Sequence, residues 1–279
     1  MRKRKWLLTS LIFLILIQSH YISAAPCGGT SSGTDEWTMF RHDPSHSGYA
    51  TDNKPTNSAK LLWTCITDRA VQSSPAVAKG RVFVGCRDSQ VYCINASNGE
   101  PLWKYAIRYE WWSSPAIDDE HVYIGADDGN VYCLNITTGT PLWKTPVGGA
   151  VRSSPTLVDG CIYIGSGSHD VFCLNASDGA KIWSFPTSHR VDSSPAVSEG
   201  VVYFASDDYH VYALNASTGN EIWRRHTGSV VSSPSVHDGY VYVGSIDGYV
   251  YALNASTGDM IWRYQTEDEV NSSPAVAYG

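Results

Sequence analysis

Asn95-Ala96-Ser97-Asn98-Gly99-Glu100-Pro101-Leu102-Trp103 decides how this chain is read, because its frame of Asn, Gly and Trp returns at Asn135 to Trp143, Asn175 to Trp183, Asn215 to Trp223 and Asn254 to Trp262. Outward from that stretch, Ser-Ser-Pro begins at positions 73, 113, 153, 193, 232 and 272, and tryptophan stands at 63, 103, 143, 183, 223 and 262. The period is 40 residues, once 39. A repeat of this length without 3.6-residue apolar periodicity reads as a propeller blade. In the second copy the strands are expected at 113–117, 121–126, 131–135 and 141–145, separated by Asp118-Asp119, Asp127-Asp128-Gly129 and Thr137-Thr138-Gly139. The middle strands, Val122-Tyr123-Ile124-Gly125 and Val131-Tyr132-Cys133-Leu134, are apolar at nearly every position. Both of their faces must be covered, as in a sheet packed between like sheets around an axis.

The expected fold class is therefore all-β, a propeller of four-stranded antiparallel blades. Complete units run over 71–109, 111–149, 151–189, 191–228 and 230–267, with a lone fourth strand near Leu61 to Ile66 and a partial sixth unit at 270–279. Five complete blades with flanking strands predict an incomplete ring, closed by further blades or by another chain. Within each motif the Asn side chain is expected to cap the turn, the Gly to supply a positive φ, and the Trp to dock on the neighbouring blade. That assigns a structural role to Trp63, Trp103, Trp143, Trp183, Trp223 and Trp262.

The run from Asn to Trp resembles the pyrroloquinoline-quinone-like repeat propellers, whose pattern is Ala-x-Asp-x-x-Thr-Gly-x-x-x-Trp, and the likeness covers residues 61–279. Trp37 to Tyr49 is similar to the leader that precedes the first blade in surface members of that family. Catalytic members imply quinone-dependent alcohol or sugar oxidation, with a longer chain, adjacent cysteines, calcium ligands and an acidic base. No two cysteines are adjacent here, so no cofactor and no catalytic residue are expected.

Seven cysteines, at 27, 65, 86, 93, 133, 161 and 173, form neither Cys-x-x-Cys nor Cys/His zinc spacing. Cys93, Cys133 and Cys173 share a repeat position with Ala213 and Ala252, which describes a small buried slot. The histidines His121, His169, His210 and His237 occupy different repeat positions, so no catalytic or metal ring is built from equivalent blades. His42 and His46 lie four apart, but Pro44 between them opposes a helical metal pair.

Arg2, Lys3, Arg4 and Lys5, the apolar run Trp6 to Ile17 and the small residues Ser23-Ala24-Ala25 read as an export signal over 1–24, cleaved after Ala24 because Pro26 opposes a cut one residue later. A leader occupies 25–60. Membrane contact is expected only through an uncleaved signal. The chain carries 20 basic and 27 acidic side chains, and four of the basic ones lie in that signal, which argues against nucleic acid as partner. A hydrophobic fraction of 43% with only 17% charged residues excludes disorder.

Repeat positions where the copies disagree point to function. Just before Ser-Ser-Pro stand Gln72, Trp112, Arg152, Asp192, Val231 and Asn271, whereas the preceding position is Val in five copies of six. Gln72, Trp112, Arg152, Asp192 and Asn271 are the expected ligand or partner surface, ringing one mouth of the central channel, with Arg108, Tyr109 and Glu110 beside it. Asn95, Asn135, Asn175, Asn215 and Asn254 begin glycosylation sequons on the opposite face, and Asn271 begins a sixth. The expected function is a non-enzymatic extracytoplasmic binding or scaffold module, with a protein or carbohydrate partner at the cell envelope. The alternatives are a fragment of a quinoprotein-type oxidoreductase and an envelope protein assembly factor.

Overall fold

Each complete repeat folds into one antiparallel sheet whose strands pair in chain order. In blade 1 these are Ala76–Ala78, Arg81–Cys86, Gln90–Asn95 and Pro101–Ala106. Four more sheets of the same plan follow, the last ending with Met260–Gln265. The computed structural model describes residues 36–48, 61–107, 113–228 and 232–277, with the backbone of Tyr21–Ala24. Most of the export segment, Cys27, Arg108, Tyr109, Glu110, Trp112 and Val231 lie outside the described residues.

The middle strands are apolar throughout because both faces are covered. Val122, Tyr123, Ile124, Val131, Cys133 and Leu134 are all 0% exposed, while the outermost strand Pro141–Pro146 alternates toward solvent. Cys93, Cys133, Cys173, Ala213 and Ala252 are all buried, and the cysteines among them are free thiols. Burial pushes the Cys93 thiol up to about 12.

Blades lock together through the motif Trp. The indole N–H of Trp63 donates to Ala96 O, Trp103 to Ile136 O, Trp143 to Ala176 O, Trp183 to Ala216 O and Trp223 to Ala255 O, each within 3.0 Å. The motif Gly has a second task besides its positive φ. A Cβ on Gly139 would sit 2.5 Å from the Trp103 ring, so only glycine lets that indole lie flat on the next blade. Trp262 has no such turn to dock on among the described residues. It stands 46% exposed on the outward side of blade 5, where Tyr264 is 68% exposed.

Ser-Ser-Pro is a two-way staple. The first Ser ties its own blade, Ser113 Oγ accepting from Gly125 N and Ser153 Oγ from Gly165 N. The second Ser ties the next: Ser74 N donates to Ser114 Oγ, Ser114 N to Ser154 Oγ, Ser154 N to Ser194 Oγ, Ser194 N to Ser233 Oγ and Ser233 N to Ser273 Oγ. This hoop of hydrogen bonds runs along the innermost strands.

The leader fills the axis instead of merely preceding blade 1. Trp37 exchanges backbone hydrogen bonds with Val77, Thr38 O accepts from Ile117 N, Pro44 O from Val197 N, Ser45 O from Val236 N, and Ser47 O from Val276 N. These donors are equivalent positions of the innermost strands in blades 1, 2, 4, 5 and the sixth unit. Arg41 reaches the Ser273 carbonyl at 2.8 Å and also donates to Pro274 O. Its guanidinium lies against Gly48, whose φ of 64° and missing Cβ leave it room.

The lone strand near Trp63 is present as β2 (Trp63–Ile66), and β1 (Tyr21–Ala24) pairs with it antiparallel. Ala24 opposes Trp63 as Cys93 opposes Trp103, and Ser23 opposes Thr64 as Tyr92 opposes Lys104. β1 thus takes the register of a third strand, and the expected cleavage after Ala24 falls at its end.

Candidate functional site at the channel mouth

Hydrogen bonds between turns define two faces. The turn after each third strand sits on the turn after the first, as in Ala96 N to Gly80 O and Ile136 N to Glu120 O. The start of each first strand sits beside the turn between the second and third, as in Val151 N to Ala126 O and Val191 N to Ser166 O. The sequon asparagines and the variable ring are therefore on opposite faces. Glu36 of the leader accepts from Lys79 N at the sequon-side mouth, and Arg41 reaches along the channel to Ser273 O. The other mouth carries the ring.

Arg152 and Asp192 of that ring come together. Arg152 lies between Asp127 at 3.6 Å and Asp192 at 3.8 Å, and Arg190 bridges Asp192 at 3.4 Å to Asp207 at 2.5 Å. This relay joins blades 2, 3 and 4 across the mouth. Burial pushes the Asp192 carboxyl up, opposed by the nearby Arg190 and Arg152 guanidinium groups. Arg152 is 39% and Arg190 48% exposed, so each pair adds at most about 1 kcal/mol to the fold, and the charges remain presented to solvent. Gln72 and Asn271 are exposed, and Asn271 contacts Glu269 at 3.4 Å.

The sequon asparagines act as the turn caps expected of them. Asn95 Oδ1 accepts from Ser97 N, Asn135 from Thr137 N, Asn175 from Ser177 N, Asn215 from Ser217 N and Asn254 from Ser256 N. His42 and His46 part company. His42 contacts Asp43 at 3.5 Å, whereas His46 is fully buried, its Nδ1 donating to Pro234 O at 3.0 Å and its Nε2 facing Thr156 Oγ1 at 3.3 Å. Burial lowers the His46 imidazole to about 4. Asp43, held by the Ser45 and Ser47 hydroxyls and by His42, stays ionised well below the usual carboxylate range despite its burial.

A second variable position escaped the sequence reading. The turn between second and third strands needs one left-handed residue, which is Gly129 in blade 2 and Gly248 in blade 5, but Ser89, His169 and Tyr209 in blades 1, 3 and 4, with φ of 67°, 73° and 72°. A side chain there costs about 1 kcal/mol against glycine. Comparison at this turn position, rather than at the strand start alone, would have exposed the signal.

The family model described as outer membrane protein assembly factor BamB matches residues 46–148, 127–236 and 225–279. Among solved structures, BamB from Moraxella catarrhalis is similar with a TM-score of 0.70 at 22% identity, over 78% of this chain and 70% of that one. Quinohemoprotein alcohol dehydrogenase ADHIIG from Pseudomonas putida HK5 gives 0.69 at 17% identity over 83% and 48%. The quinohemoprotein alcohol dehydrogenase from Comamonas testosteroni gives 0.70 at 15% over 83% and 49%. The chain spans about half the length of these two dehydrogenases, and at such identities the likeness is one of fold. No curated protein matches the chain.

Proposed function

The chain belongs to the family of pyrroloquinoline-quinone-like repeat propellers described as outer membrane protein assembly factor BamB, and from that membership we propose that it is an extracytoplasmic, non-enzymatic scaffold that docks a protein partner on the mouth that carries Arg152 and Asp192. The observation that carries this reading is the relay Asp127–Arg152–Asp192–Arg190–Asp207 on the face opposite the sequon turns, where the Arg152 and Arg190 side chains are 39% and 48% exposed. Arginine is among the side chains that most often anchor interfaces, and here two share the Asp192 carboxylate without a packing role repeated in every blade. Assembly of envelope proteins is the form of scaffolding that the family description favours.

Quinone chemistry fits the residues poorly. The axis is filled by the chain's own Trp37 to Ser47, and the groups facing it are serine hydroxyls and backbone amides already bonded to one another. The described cysteines are free, with none adjacent in sequence. Reconstitution with pyrroloquinoline quinone and calcium is expected to give no substrate-dependent dye reduction, and turnover would restore the oxidoreductase alternative.

A photo-crosslinking residue placed at Gln72 or Asn271 should capture an envelope protein in living cells, and one placed at Asn215 should not. Capture from Asn215 alone would move the docking face to the sequon side and defeat the proposal.

A further inference from the structure

The strained turns of blades 3 and 4 display rings where blades 2 and 5 have glycine. Tyr209 is 53% exposed, so burial does not account for its left-handed backbone. Each displayed ring meets an imidazole. His169 stacks on His189 at 5.5 Å with 11° between planes, and Tyr209 lies 6.3 Å from His226, which meets His210 edge-on at 5.2 Å. A cleft of about 450 Å³ opens beside them, lined by Ser188, His189, Asp207, Asp208 and Tyr209.

We propose that this cleft binds a neutral carbohydrate, with the flat face of a pyranose against Tyr209 and its hydroxyls on the polar lining. The surrounding bonds exclude the other ligand classes. Asp207 is already paired with Arg190, and Asp208 accepts from the Tyr212 hydroxyl, Ser188 N and His210 N, so neither carboxylate lacks a partner that a cation would supply. An anion would meet both carboxylates, and an apolar ligand would strand the lining without water. A sugar presents one C–H face to the ring and hydroxyls that both donate and accept, matching the Ser188 hydroxyl and the His189 imidazole in the cleft lining. This site shares Asp207 with the relay but rests on Tyr209 and His189, which the protein-docking reading does not use.

The test titrates the full chain with cellohexaose, mannohexaose and chitohexaose by NMR, beside an oligo-arginine peptide. Binding of at least one oligosaccharide is expected, with affinity falling by about tenfold or more in Tyr209→Gly and in His189→Ala. Tyr209→Gly should at the same time raise the melting temperature, since glycine is the residue that this turn prefers. Absence of oligosaccharide binding, binding indifferent to Tyr209→Gly, or capture of the arginine peptide through the same residues would each overturn the proposal. A lowered melting temperature in Tyr209→Gly would also overturn it, by showing that the ring serves the fold.

Discussion

The backbone N–H of Ser114 donates to the Ser154 hydroxyl at 3.0 Å, across 40 residues of chain and from one blade to the next. Both residues are buried, so water cannot replace the acceptor. Ser154→Ala is expected to leave the Ser114 amide unsatisfied and to cost about 1–3 kcal/mol in denaturant melts. A change below 0.5 kcal/mol, the scatter of ordinary surface substitutions, would mean that the hoop contributes nothing.

A pair inside each blade varies in concert. The hydroxyl of Tyr92 donates to Asp88, Tyr132 to Asp128, Tyr212 to Asp208 and Tyr251 to Asp247, within 2.8 Å. Blade 3 has Phe172 and Ser168 at these positions, so acceptor and donor are absent together. Tyr132→Phe and Asp128→Ala should each destabilise by about 1–2 kcal/mol, and a double-mutant cycle should return a coupling near 1 kcal/mol. Additive losses would show the pair to be incidental.

The blades themselves were legible because duplication repeats the signal. The Asn caps, the positive-φ glycines and the doubly buried middle strands all stand where the sequence placed them. What stayed hidden occurs once. The leader binds the channel through backbone carbonyls at Thr38, Pro44, Ser45 and Ser47, which any residue type offers and no pattern reports. Of the ring, Arg152 and Asp192 come together, but the partners that complete the relay, Asp127, Arg190 and Asp207, sit in neighbouring turns that a column of equivalent positions does not include. Trp262 carries the same motif as the four other copies, yet its exposure depends on what stands beyond blade 5, which the motif does not encode.

The relay gives the docking reading a quantitative form. Arg152→Ala removes a guanidinium that is 39% exposed and belongs to no repeat-wide bond, so the melting temperature should hold while affinity for an identified partner falls by about tenfold or more. Asp192→Asn should weaken binding through Arg152 and Arg190, whose orientation it shares. Unchanged affinity in both variants, measured by calorimetry, would mark the ring as unused surface.

Acid should unfold this protein through the leader. His46 is buried against Pro234 O and Thr156 Oγ1, near the Arg41 cation and the Asp43 carboxylate, and burial holds it at about 4 in the fold. In the unfolded chain it titrates near 6.5. Below that value the unfolded state binds the proton first, so stability is full above about pH 6.5 and falls as pH drops toward 4, by roughly 3 kcal/mol in all. Asp43 acts in a lower window, because its depressed value withdraws stability only below the ordinary carboxylate range. Melts of the wild type and His46→Gln between pH 7 and 4.5 should therefore diverge in slope, with the variant less stable at neutral pH and flatter with acid. Parallel curves would show that the channel plug opens without charging His46.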